Sequence, residues 1–112
     1  MLHTLNIDSL KKEIRNSPKI IIVEIGARWC GSCDIMEPVL NQLALEYNET
    51  IHIGRLDIEN GKQIIYEYGI NTLPTYLFFR YGHLVDQIIG SGSKKLFIEK
   101  IMYLITLPNS FK

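Results

Sequence analysis

The stretch from Lys19 to Ile25 is apolar on both alternating faces. A strand with one wet face alternates polar and apolar residues; one that is apolar throughout belongs inside a sheet covered by helices on both sides. The rest of the chain fits such an α/β domain, because short apolar runs alternate with helix-like segments and no repeat or linker interrupts them. Leu2 to Ile7 is expected as a short edge strand, and Asp8 or Ser9 as the cap of a helix carrying Leu10 and Ile14, stopped by Ser17-Pro18. From Cys33 to about Asn48, Ile35, Met36, Val39, Leu40, Leu43, Ala44 and Tyr47 recur at helical spacing. Pro38 inside that pattern is expected to kink the helix or restart it. Ile51 to Ile58 reads as a second inner strand, and Gln63 to Tyr68 as a short helix that Gly69 ends. Thr75 to Tyr81 and Leu84 to Ile89, parted by a tight turn at Gly82, form a hairpin. Ser93 opens a last helix with Phe97, Ile101, Leu104 and Ile105 on one face. The order is β-α-β-α-β-α-β-β-α, with helical crossovers giving parallel pairing first and an antiparallel edge at the end.

A chain of 112 residues is the size of one domain, so residues 1–112 are expected to share one core, with 107–112 a short tail beyond the last helix. That length buries enough surface to fold without metals or disulfide staples. Its two cysteines are therefore free of structural duty. Twelve basic residues balance twelve acidic ones, and the densest basic clusters are the pairs Lys11-Lys12 and Lys94-Lys95. Nucleic acid is not expected as a partner, since a phosphate backbone requires a basic stripe. No apolar segment approaches the ~20 residues that span a bilayer, so no membrane partner is expected either. Met1 to Asn16 mixes His, Asp, Lys, Glu and Arg where a signal peptide needs an apolar stretch, which makes a reducing cytoplasm the expected location.

Chemistry concentrates in Trp29-Cys30-Gly31-Ser32-Cys33, where the buried strand gives way to a helix. Two thiols with two residues between them can close a small disulfide ring with little backbone movement. At the helix N-terminus, unpaired amide donors and the positive dipole end favour the Cys30 thiolate. Cys33, one turn inward, is shielded. Attack by Cys30 on a substrate disulfide, a mixed disulfide, and resolution by Cys33 is the expected course. Zinc is not expected: a closed site takes four ligands, and beyond the cysteines only His3, His52 and His83 remain, none at finger spacing. An inert core pair fits poorly as well, because Gly31-Ser32 suits an exposed turn.

With Ile22-Val23-Glu24, Tyr68-Gly69-Ile70, Thr72-Leu73-Pro74-Thr75, Gly82 and Gly90 at matching spacing around that motif, the chain resembles the thioredoxin family over about Leu5 to Ile105. The resemblance implies a thioredoxin fold, a central mixed sheet of about five strands flanked by four helices, and dithiol–disulfide exchange on protein substrates. It implies a cis Leu73-Pro74 peptide facing the cysteines, recharging by a thioredoxin reductase, and a monomer that needs no cofactor beyond the Cys30-Cys33 disulfide. Thr72, Leu73, Pro74, Ile89, Gly90 and Ser91 would complete a shallow substrate-binding patch around Cys30, where an extended substrate strand can pair with backbone. Trp29, beside a cysteine expected to be exposed, supplies an amphipathic docking ring.

Glu24 is the most informative acid. Burial in mid-strand raises a carboxyl pKa and would let it trade protons with Cys33. The family usually carries Asp there, and Arg55, where Lys is frequent, could instead pair with Glu24 and hold it ionised. Ser32 replaces a common proline, restoring an amide donor near the thiolate and predicting a less reducing protein. Gly26 stands where a second tryptophan is common, and the negative charge of Asp34 works against Cys30 ionisation while favouring the helix start. The leading expectation is a protein-disulfide reductase. A more oxidising oxidase or isomerase of the same fold, or a binding scaffold without turnover, are the alternatives.

Overall fold

The computed structural model describes residues 3–4 and 6–108. Leu2 and Leu5 of the expected edge strand, and residues 109–112 of the expected tail, lie outside the described residues. The elements are β1 (His3–Thr4), α1 (Ile7–Asn16), β2 (Ile20–Gly26), α2 (Gly31–Glu46), β3 (Ile51–Asp57), α3 (Lys62–Tyr68), β4 (Thr75–Arg80), β5 (His83–Ile89) and α4 (Lys94–Ile105). They build the α/β thioredoxin fold: four helices around a mixed sheet of order β1-β3-β2-β4-β5, whose edge strand β1 is only two residues long.

Every residue of β2 is buried, as a strand apolar on both faces requires. Alternate side chains feed two cores. Ile20 and Ile22 join Met36, Leu40 and Leu43 of α2 and Phe97, Ile101 and Leu104 of α4. Ile21, Val23 and Ile25 pack on the other face with Leu10 of α1 and Ile64 of α3. The period of two in the strand thus assigns each residue to one helical layer.

β2 and β1 both run parallel to β3, while β4 lies antiparallel to β2 as well as to β5. Antiparallel pairing therefore begins in the middle of the sheet, not only at its edge as expected, because β4 enters from the end at which β2 leaves. Ile25 sits beside Thr75 in that register, which brings the start of β4 next to the segment that follows β2.

Several local details differ from expectation. The α1 cap is Asn6, whose side chain accepts from the Ser9 N–H at 2.8 Å, because an Asn oxygen reaches the third residue on and frees Asp8 for the first turn. α2 starts at Gly31, two residues before Cys33, and runs through Pro38 without restarting. Ile105 is 41% exposed rather than part of the buried face of α4, since α4 ends there. The hairpin turn consists of Tyr81 (φ 53°) and Gly82 (φ 85°), both left-handed as a two-residue turn of matching twist needs, and the Arg80 guanidinium lies 4.5 Å over the Tyr81 ring.

Candidate active site

The segment between β2 and α2 is short, so the cysteines fall where the strand's carboxyl end meets the helix's amino end. Cys30 is the N-cap of α2, and its Sγ accepts from the Cys33 N–H at 3.2 Å. The two sulfurs are bonded, with Cα atoms 5.3 Å apart. A side chain at the cap faces the unpaired amides and positive dipole end of the helix, an arrangement that favours negative charge on Cys30. Ser32 Oγ lies 3.7 Å from Cys30 Sγ, and since a disulfide sulfur carries no proton the hydroxyl is the donor. Ala27, Ile58 and Leu73 pack around the pair. That packing leaves Cys30 6% and Cys33 1% exposed, so the attacking-position sulfur is far less open than the sequence suggests.

The Leu73–Pro74 peptide is cis, and the Pro74 carbonyl accepts from the Gly90 N–H at 2.8 Å. This bond ties the start of β4 to the end of β5, where Thr75 and Ile89 are register partners. Thr72, Leu73 and Pro74 are thereby gathered with Ile89, Gly90 and Ser91 at the same end of the sheet as the disulfide. Of these, Leu73 packs directly against the cysteines, whereas Ile89 stands exposed. Trp29 is 72% exposed, which rules out a core role for its ring.

Beneath the disulfide lies a row of three polar side chains. Arg55, Glu24 and Tyr76 occupy adjacent positions on β3, β2 and β4, on the face covered by α2 and α4. Glu24 is fully buried. The Tyr76 hydroxyl donates to Glu24 Oε2 at 2.7 Å, and Arg55 Nε lies 3.2 Å from Oε1. The arginine contact is not aligned as a hydrogen bond, so Oε1 feels the charge but receives no donor. Burial pushes the Glu24 carboxyl above its ordinary range; the Tyr76 donor and the Arg55 charge pull it down, and the charges of Glu37 and Asp34 push it up. Burial, with the carboxylate beside it, raises the Tyr76 phenol so far that it remains a donor at any ordinary pH. The two readings of Glu24, relay or ion pair, are therefore not exclusive: it is paired with Arg55 and still a weaker acid than usual.

Gly26 explains how this row meets the sulfurs. A Cβ built on it would lie 3.1 Å from Cys33 Sγ and 3.4 Å from an Arg55 guanidinium nitrogen. Because residue 26 has no side chain, Cys33 and Arg55 face one small gap on the Glu24 side of the sheet.

The chain matches the family model described as Thioredoxin over residues 1–103. It belongs to the thioredoxin family. It is 36% identical over 93 residues to the thioredoxin of Chlorobaculum thiosulfatiphilum, covering 83% of this chain and 86% of that one. It is also similar to the thioredoxin of Pyropia yezoensis, at 35% over 86 residues and 77% and 80% of the two chains. Thioredoxin 2 of Chlorobaculum tepidum is 33% identical over 93 residues, or 83% and 85% of the chains. Family membership and the bonded cysteine pair make this protein a thiol–disulfide oxidoreductase whose redox group is its own disulfide.

As a thioredoxin it places every expected site residue at one end of the sheet or in the layer directly beneath. Tyr76 is the residue sequence reasoning missed. A tyrosine inside an otherwise apolar run carries a hydroxyl that needs a buried partner, and Glu24 is the one acid in the strand that is buried throughout. Among the described residues, no group of three or more His, Cys, Asp or Glu is gathered to hold a metal ion, and no helix is long and apolar enough to cross a membrane.

Proposed function

We propose that this thioredoxin reduces protein disulfides with Cys30 as the attacking sulfur and Cys33 as the resolving one. The asymmetry of the pair carries this assignment: Cys30 caps α2 beside the apolar rim of Trp29, Leu73 and Ile89, while Cys33 is sealed beneath it. Cys30 thiolate attacks one sulfur of the substrate disulfide, and the other sulfur leaves as a thiolate that takes up a proton. Cys33 then loses its proton, attacks Cys30 Sγ, and breaks the mixed disulfide. The second substrate sulfur leaves as a thiolate that also takes up a proton, so two electrons pass from the cysteine pair to the substrate and the Cys30-Cys33 bond forms. Glu24 is the acceptor we assign for the Cys33 proton, its raised pKa making it a stronger base than an ordinary carboxylate.

The exposed backbone and flat rim around Cys30 suit extended segments of many proteins, held weakly. Thr72, Leu73, Pro74, Ile89, Gly90 and Ser91 form this docking edge, with Trp29 as its amphipathic anchor. A thioredoxin reductase would return the disulfide to the dithiol as part of cellular electron transport. The protein is taken to act as a monomer in a reducing cytoplasm, the compartment suited to a cysteine pair that cycles rather than staples. Insulin turbidity in the presence of dithiothreitol tests the reading: wild type should accelerate precipitation and Cys30→Ser should not, whereas equal rates would sink it.

One observation favours a second reading. The Ser32 hydroxyl beside Cys30 Sγ would stabilise the thiolate and hence the reduced form, moving the protein toward oxidase or isomerase chemistry. Equilibration with glutathione separates the two. A disulfide that yields only to a large thiol excess supports the reductase, and easy reduction supports the alternative.

A further inference from the structure

Tyr76 divides the two oxygens of Glu24 between different tasks. Oε2 is taken by the phenol at 2.7 Å, and Oε1 is a buried acceptor with no hydrogen-bond donor, beside Arg55 Nε at 3.2 Å. A buried carboxylate oxygen that accepts no hydrogen bond calls for an explanation, and this one has the Arg55 charge beside it. Glu24 and Gly26 are two residues apart on one strand and so share a face, roughly 6.6 Å from one another along it. The gap left by the missing side chain of Gly26 is bordered by Cys33 Sγ and by the Arg55 guanidinium that touches Oε1. Arg55, the residue beside Oε1, also lines an open polar cavity of about 380 Å³ with Arg28, Asp34 and Asp57.

Resting on the assignment of Glu24 as proton acceptor for Cys33, we propose that Tyr76 is a positioning residue for the exchange reaction: its hydroxyl pins Oε2 and so presents Oε1 to the Cys33 proton. The Cys33 S–H proton passes across the Gly26 gap to Oε1, the Cys33 sulfur attacks Cys30 Sγ, and the bond from Cys30 to the substrate sulfur breaks. The released substrate thiolate takes a proton from solvent, and Glu24 later returns its own to solvent. The charged and polar groups that act on Glu24 are Tyr76 from β4, Arg55 from β3, and Asp34 and Glu37 from α2; α4 presents the apolar Phe97, Ile98, Ile101 and Leu104 to this core. Tyr76 is held independently of Glu24, its ring packed edge-on against Phe97 at 5.0 Å, so removing the hydroxyl leaves the packing in place.

The test is the release of thionitrobenzoate from a mixed disulfide preformed on Cys30 of the full chain, followed by absorbance as a function of pH. In wild type, release by Cys33 should rise with pH through a single midpoint. Tyr76→Phe takes a donor from the charged carboxylate, so the midpoint should move to higher pH and release below it should slow about tenfold, the loss closing as pH rises. Tyr76→3-fluorotyrosine, introduced at that site alone, offers a stronger donor and should move the midpoint to lower pH. In a Glu24→Gln background Tyr76→Phe should have no further effect. An unmoved midpoint in both Tyr76 variants, or an equal slowing with and without Glu24, would overturn the proposal. No release from wild type would instead refute the roles assigned to Cys30 and Cys33.

Discussion

Replacing Glu24 with glutamine should alter how stability depends on pH. Glu24 is fully buried in the central strand, and burial raises its carboxyl pKa more than Tyr76 and Arg55 lower it. A carboxyl raised in the folded state binds more protons there than in the unfolded chain, over the window from its ordinary 4.5 up to its folded value. Stability is therefore fully present below that window and falls as pH rises through it, by at most about 1.4 kcal/mol per pH unit for one proton. Above the window the loss is constant. Glutamine keeps the shape and can still accept from Tyr76, but it does not titrate. The offset between the proteins includes the lost Arg55 contact, whereas the slope does not. Urea unfolding of both oxidised proteins by circular dichroism, from about pH 5 to pH 9, measures it. The Glu24→Gln protein should gain on wild type with rising pH. Parallel curves, or a variant that loses ground as pH rises, would refute the raised carboxyl and with it the proton-accepting role.

Phe97→Ala empties a fully buried site whose ring packs against Tyr76 at 5.0 Å and Phe78 at 5.9 Å, and should cost about 3–5 kcal/mol in a urea titration. Trp29→Ala, by contrast, removes a ring that is 72% exposed, so unfolding should change by less than about 0.5 kcal/mol while insulin reduction slows severalfold. Cys33→Ser should accumulate mixed disulfides with protein substrates on Cys30, seen as mass adducts that dithiothreitol removes; their absence would argue against Cys30 as the attacking sulfur.

The central strand was legible because burial on both faces leaves a local mark, and Lys19 to Ile25 carries it. The cysteine motif was legible because its spacing is itself the chemistry. Helix starts were less so: an N-cap depends on one backbone angle and one side-chain reach, which let Asn6 take the place expected of Asp8 or Ser9 and moved the start of α2 to Gly31. Strand order leaves no local mark at all. The antiparallel seat of β4 beside β2 places Tyr76 next to Glu24, and neither residue's neighbours in sequence point to the other. The same register brings Tyr76 to one oxygen of Glu24 and Arg55 to the other, an arrangement no stretch of sequence shows by itself. Exposure of Cys30 was overestimated because Ile58 and Leu73, which cover it, arrive from distant segments.

The claim on which the rest depends is that Cys30 and Cys33 pass electrons to a protein disulfide as one couple. Anaerobic mixing of the fully reduced protein with insulin, followed by acid quench, alkylation and mass spectrometry, tests it most directly. One Cys30-Cys33 disulfide should form for each insulin disulfide opened. Insulin thiols that appear while Cys30 and Cys33 remain reduced, or no transfer in either direction, would contradict it.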